Sequence, residues 1–222
     1  MSTTEPDTRT RKRFCFALSA LAKFVGIDFD FSRYAGSYSP NSREPRNLPS
    51  DSFIVQIGIE IKDPKWKWVF FMLATYGLRN HEIFHLDLDR LSQGDKILNL
   101  RDGKTGSRKI WPLHPEWFEQ FGLDRVKMPQ LNLERSNSEL GHAITQRLRK
   151  TEKIPFPPYD LRHCWAVRSL AYGIDISLAS QQMGHSLQVH SNLYHSWISD
   201  DYHQRAFEIA IAKSDRPLPP VL

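Results

Sequence analysis

With 222 residues, a hydrophobic fraction of 40% and a formal net charge of +5, the chain can bury a good-sized core and is biased toward an anionic partner. Charge alone leaves nucleic acid, an acidic protein and a membrane surface equally open. Cys15 and Cys164 lie too far apart for a metal-ligand motif and imply reduced thiols in a cytoplasmic setting, and no apolar run is long enough to span a bilayer. The basic residues cluster locally, at 9–13, 101–109 and 147–153.

Residues 1–13 are polar and read as a disordered tail. Arg11-Lys12-Arg13 before the apolar stretch ending Ala20-Leu21-Ala22 has the layout of a signal peptide. Phe14, Leu18, Leu21 and Val25, however, fall at i, i+4, i+7 and i+11, the stripe of an amphipathic helix. Residues 28–49, rich in Ser, Pro, Arg and Asn, read as a linker, and Arg33, Arg43 and Arg46 fit either phosphate tracking or plain solvation. Ser50 is placed as an N-cap, although Val55, Ile57, Ile59 and Ile61 alternate as in a strand; a helix is expected. Pro64 opens a helix that is apolar almost all round, so central, and Gly77 ends it in a left-handed turn that aims Arg79 outward. Residues 86–91, 96–100 and 108–112 read as three short strands, with Lys104 on a hairpin tip. Gly103-Lys104-Thr105 is no P-loop, because Leu98 stands where that motif needs Gly. Helices are expected over 115–121 and 139–152, and Pro155, Pro157 and Pro158 interrupt before the next.

The stretch 159–194 carries three signatures: Tyr159-Asp160-Leu161-Arg162-His163, Met183-Gly184-His185 and Asn192-Leu193-Tyr194. The first helix, over 160–172, has Cys164, Val167, Leu170, Ala171 and Ile174 as its apolar stripe, which sets Arg162 on the opposite side, free of the core. Gly184 breaks the following helix and presents His185 just beyond its end. A last helix is expected over 200–213, before a Pro-rich tail.

These signatures resemble the tyrosine recombinase (phage integrase) family. Its box His-x-Leu-Arg-His, then Leu-Gly-His, then a tyrosine nine residues later, is matched by Arg162, His185 and Tyr194, with Tyr159 in place of the first His. Thr75-Tyr76-Gly77-Leu78-Arg79 matches the family's first arginine box, and Lys104 occupies the hairpin position of its lysine. The resemblance covers about residues 48–213. It implies a mainly α fold with a small three-stranded antiparallel sheet, a catalytic domain over 50–213, a remnant of the family's core-binding domain and linker over 14–49, and a tail over 214–222. It also implies double-stranded DNA as the partner, a homo-oligomeric (tetrameric) assembly on it, location with the nucleoid, and no cofactor or metal. Arg79, Arg162 and His185 would hold the phosphate, Tyr194 would attack it and Lys104 would protonate the leaving oxygen. Tyr159 can donate a hydrogen bond but, with a phenol pKa of about 10, is a poor proton acceptor near neutral pH. His163, bordering the apolar stripe, is no obvious substitute.

Other readings compete. His81-Glu82-Ile83-Phe84-His85 fits the His-Glu-x-x-His pattern of zinc proteases, in which two imidazoles share one face of a helix; no third ligand follows at the expected spacing, and Glu82 equally fits a buttress for Arg79. A type IB topoisomerase uses a similar residue set. A non-catalytic DNA-binding remnant would account for Tyr159 and the short N-terminal part.

Overall fold

The computed structural model describes residues 4–39, 47–101, 106–194 and 200–214. The chain forms two compact units, Met1–Pro45 and Arg46–Leu222. In the first, helix α1 (Arg9–Phe24) starts five residues before Phe14, the expected point, because the Thr8 hydroxyl caps the Arg11 amide. Cys15 and Ala22 are its buried residues. Phe14, Leu21 and Val25 of the expected stripe are each more than half exposed. A 3-10 turn, Phe31–Tyr34, follows. Arg33 lies over the rings of Phe29 and Tyr34, at 4.3 and 4.9 Å, a cation–π contact rather than a free linker charge; Arg43 and Arg46 lie outside the described residues.

The second unit is built on α3 (Pro64–Tyr76), with Asp63 as N-cap, Pro64 in the first turn and every residue from Trp68 to Tyr76 buried. Helix α2 (Asp51–Glu60) packs against it. Ser50 caps α2 as expected, its hydroxyl accepting from the Phe53 amide at 3.2 Å. The alternation over 55–61 misleads because the face turned to the core is Ile54 and Gly58. A Cβ on Gly58 would lie 2.3 Å from Phe71 Cζ, so an aromatic ring from α3 fills the place of the missing side chain.

Among the described residues the sheet has two antiparallel strands, not three: β1 (Leu98–Leu100) and β2 (Arg108–Ile110), with Leu98 opposite Ile110 and Leu100 opposite Arg108. Leu86 contributes only a single bridge to Leu100. The rest of the expected first strand is helix α4 (Leu88–Ser92), since Leu88 and Leu91, spaced i, i+3, both pack on the core. Then come α5 (Glu116–Gln120) and α6 (Asn137–Gln146), the latter opened by a reciprocal Ser136–Glu139 capping box and run on as a π turn, Arg147–Thr151.

Helix α7 (Asp160–Ala171) packs on α3, and α8 (Ile176–Met183), α9 (Leu187–Tyr194) and α10 (Asp200–Ala212) complete the order. From Asp160 to Leu170, only Val167 of α7 is not buried, and Ala171, placed by sequence on the apolar stripe, is exposed. A helix enclosed on nearly all sides has no solvent side to give Arg162, which is 1% exposed. The expectation that it stands free of the core is therefore overturned. Arg168, also buried, bonds Asp51 Oδ1 at 2.9 Å and the Ala74 carbonyl at 3.1 Å, tying α7 to the start of α2 and the end of α3.

Candidate active site

Two left-handed glycines make the site. Gly77 ends α3 with φ of 60°, and a Cβ there would meet Trp165 Cβ at 2.5 Å, so only glycine lets α7 approach the end of α3 this closely. Gly184 ends α8 with φ of 61°. The Gly184 amide bonds the Gln181 carbonyl at 2.9 Å and the His185 amide bonds the Ser180 carbonyl at 3.0 Å, the paired pattern that closes a helix and fixes the residue after the glycine. His185 is thereby held just past the helix end.

The last carbonyls of α8 have no partners within the helix and carry the negative end of its dipole. Three arginines from distant parts of the sequence take them in order. Arg108 Nε donates to the Gln182 carbonyl at 2.6 Å, Arg162 Nη2 donates to the Met183 carbonyl, and Arg79 Nη2 donates to the Gly184 carbonyl at 2.7 Å. Arg162 Nη1 also donates to the Gly77 carbonyl at 2.7 Å. The guanidinium of Arg162 is thus clamped between the C-terminal ends of two helices, which is why its charge can be buried.

Glu82, fully buried, is the counter-charge. Its carboxylate accepts from Arg79 Nη1 and Arg108 Nη2, both at 2.7 Å, and from the Arg79 amide at 2.8 Å, with Arg162 Nη1 at 3.9 Å. Burial pushes this carboxyl's pKa up, but the charges of Arg108 and Arg162 and the bonds it accepts outweigh that and hold it below the ordinary value. Arg79, with its side chain 16% exposed, turns inward to these partners instead of outward as expected.

Arg162 Nη2 lies 2.7 Å from His185 Nε2. A guanidinium can only donate, so Nε2 accepts and the ring proton sits on Nδ1, which is buried without a partner. Burial, then the Arg162 charge, push the His185 pKa down to about 3; burial, then Arg162, push that of His190 down to about 4. Both are neutral imidazoles at pH 7. A cavity of about 530 Å³ is lined by His185 together with Arg108, Lys109, Trp111, Gln181 and Gln182.

Tyr194, at the end of α9, is 2% exposed. Its ring packs on His190, centroids 4.8 Å apart, and its hydroxyl lies 2.9 Å from His163 Nδ1. Sequence reasoning set His163 aside, yet this is the imidazole that reaches Tyr194. Tyr159, at the start of α7 and 41% exposed, sets its ring edge against His163 at 5.3 Å. Arg79, Arg162 and His185 are therefore brought together, and Tyr194 and Tyr159 both meet His163, the residue after Arg162 on α7. Lys104 lies outside the described residues.

Arg108 was also missed, although it sits in the basic cluster at 101–109 and shares an inward face with Ile110. The zinc reading fails on geometry. Residues Asn80–His85 form a 3-10 helix, in which four residues advance about 120° past a full turn. The rings of His81 and His85 stand 6.2 Å apart at 76°, and Glu82 is occupied by arginines. Among the described residues no cluster of three or more His, Cys, Asp or Glu could hold a metal ion, and no helix is long and apolar enough to cross a membrane.

Known proteins resemble the chain along its length. A family model described as the XisA/XisC excisase second domain matches residues 1–35. The chain is 34% identical to Excisase A of Nostoc sp. (strain PCC 7120) over 89% of its own length and 48% of that protein, so it spans about half the length of this relative. It is 25% identical to Tyrosine recombinase XerA of Pyrococcus horikoshii, over 77% of the chain and 63% of that protein. Among solved structures, that of XerA recombinase superposes with a TM-score of 0.52 at 19% identity, over 88% of this chain and 73% of that one. The Tn1549 transposon integrase in complex with circular intermediate DNA gives a TM-score of 0.51 at 15% identity, over 89% and 76%.

Proposed function

The chain belongs to the tyrosine recombinase (phage integrase) family, and from that premise we propose that it is a site-specific recombinase that cuts and rejoins double-stranded DNA through a 3′-phosphotyrosyl bond on Tyr194. The observation that carries the reading is the convergence of Arg79, Arg162 and His185 on the end of α8, next to the helix that delivers Tyr194. The relative's name, excisase, and the DNA bound by the Tn1549 integrase support the reaction and the partner.

In-line attack on a phosphodiester builds negative charge on the non-bridging oxygens, so the stabilising cations must be in place beforehand. Guanidinium groups suit that task because they stay charged and can engage two oxygens at once. Arg79 and Arg162 are preorganised by Glu82 and by helix-end carbonyls, and an arriving phosphate would compete with those neutral acceptors for the same N–H groups. His185 adds a donor to the phosphate. Tyr194 attacks phosphorus, the 5′-oxygen leaves with a proton supplied by Lys104, and attack by a 5′-hydroxyl of another strand reverses the step. The energy of the broken bond is kept in the phosphotyrosyl ester, so neither ATP nor a metal ion is a reactant. Strand exchange by this route would use several copies of the chain on DNA.

The test uses a pool of end-labelled duplexes, nicked so that a short 5′-hydroxyl fragment is lost on cleavage, with the flanking sequence randomised. Wild-type protein should retain label on a denaturing gel, and Tyr194→Phe should retain none. Equal label on both proteins would overturn the proposal.

A further inference from the structure

We propose that His163 is the proton acceptor for Tyr194, and so a catalytic residue of strand cleavage; the inference rests on the strand-cleavage reading above. Its Nδ1 lies 2.9 Å from the Tyr194 hydroxyl, with His163 8% exposed and Tyr194 2% exposed. A general base must be within hydrogen-bond reach of the proton it takes, and this pair is. Among the described residues, the other imidazoles near Tyr194 are engaged differently. His185 Nε2 accepts from Arg162, and His190 meets Tyr194 ring to ring, with neither of its nitrogens bonded. Tyr159 touches His163 only by its ring, and a phenol takes a proton poorly near neutral pH.

Helix geometry explains how one element serves both halves of the reaction. Successive residues of an α-helix diverge by about 100°. Arg162 therefore reaches toward the ends of α3 and α8, while His163, the next residue, reaches α9. The same turn of α7 then fixes a phosphate anchor and the base for the nucleophile.

In the step, the bond from Tyr194 Oη to phosphorus forms as the bond from phosphorus to the 5′-oxygen breaks. The hydroxyl proton passes to His163 Nδ1, giving an imidazolium, and the leaving oxygen takes its proton from the acid on the other side. On rejoining, a 5′-hydroxyl attacks phosphorus, the bond to Oη breaks, and His163 returns the proton to Tyr194. The neutral ring must therefore carry its own proton on Nε2. Among the described residues, the titratable rings that lie against His163 are those of Tyr159 and Tyr194, at 5.3 and 5.7 Å. Asp160, one turn earlier on α7, is buried, and Arg162 is the neighbouring cation.

Single-turnover adduct formation on the nicked-duplex pool separates this role from mere positioning. His163→Ala should slow the rate at pH 7 by about 100-fold or more. The deficit should shrink in alkali, where hydroxide can take the phenol proton in place of the imidazole. His163→Asn, whose carbonyl can still accept a hydrogen bond from Tyr194 but cannot take up the proton, should be as slow as His163→Ala at pH 7. Both variants should bind the duplex pool and unfold cooperatively above the assay temperature. Recovery of the rate by His163→Asn, a deficit equal at all pH values, or a wild-type rate in His163→Ala would each overturn the proton-acceptor role while leaving strand cleavage intact. A wild-type protein that forms no more adduct than Tyr194→Phe would overturn strand cleavage and the base with it.

Discussion

Replacing Glu82 by Gln removes the one negative charge at the centre of the arginine cluster while keeping nearly the same shape. The carboxylate sits 2.7 Å from both Arg79 and Arg108 and 3.9 Å from Arg162, with no exposed surface. At an effective dielectric of 20, a pair at 4 Å attracts by about 4 kcal/mol, so the gross attraction of three such pairs is on the order of 10 kcal/mol. Most of it offsets the several kcal/mol lost by each ion on leaving water, and breaking a buried pair leaves that loss unmatched, at a net cost of about 3–5 kcal/mol. Gln keeps one carbonyl acceptor, which sets the expectation at about 3 kcal/mol, or a fall in Tm of roughly 6–12 °C for a unit of this size. Since the folded-state pKa of Glu82 lies below its ordinary value of 4.5, its stabilisation is fully present above that pH and is lost as pH falls through the lower folded value. Urea unfolding of both proteins at pH 7, 5 and 3.5 is the assay. A gap that narrows in acid is expected; a gap below about 1 kcal/mol at pH 7, or one constant down to pH 3.5, would refute the assignment of Glu82 as the shared counter-charge.

Gly58→Ala should cost about 1–3 kcal/mol in urea unfolding, because its Cβ would fall 2.3 Å from Phe71 Cζ in a filled core. His190 is fully buried with neither ring nitrogen bonded, so His190→Leu should raise stability at pH 7 by about 1 kcal/mol. The folded His190 pKa of about 4 lies below the ordinary 6.5, so the unfolded chain takes up the proton first and stability drops as pH falls from 6.5 toward 4; His190→Leu should lessen that drop, as seen in unfolding at pH 7 and pH 5. Exhaustive chelation should leave adduct formation unchanged, and its loss on chelation with recovery on adding zinc would return attention to His81 and His85. Arg108→Ala, which frees Glu82 and the Gln182 carbonyl from one partner, should slow adduct formation by at least tenfold; an unchanged rate would mark Arg108 as a bystander.

What was legible in the sequence was whatever a short stretch determines for itself. Pro64 and Gly77 bracket α3, and Met183-Gly184-His185 closes α8 with His185 in its fixed position, because proline, a left-handed glycine and its two hydrogen bonds are local matters. The side-chain environments were less legible, because they depend on packing between distant segments. Arg162 looked solvent-facing when only the apolar stripe of α7 was counted, whereas the carbonyls of Gly77 and Met183, invisible to a hydropathy pattern, make a buried cation tolerable. His163 borders that stripe on a helical wheel, and only the position of α9 reveals that it faces Tyr194. The alternation over 55–61 pointed to a strand because the core-facing residue of α2 is Gly58, which no hydrophobic period registers. Likewise Leu86 joins the sheet by one bridge, and two leucines three apart turn the next residues into a helix.

Strand cleavage by Tyr194 is tested most directly by where DNA becomes attached. Protein trapped on the nicked-duplex pool, digested with trypsin and nuclease and analysed by mass spectrometry, should carry its residual nucleotide on the peptide containing Tyr194, joined through the phenolic oxygen to a 3′-phosphate. A nucleotide on Tyr159, on another residue, or on a 5′-phosphate would contradict it.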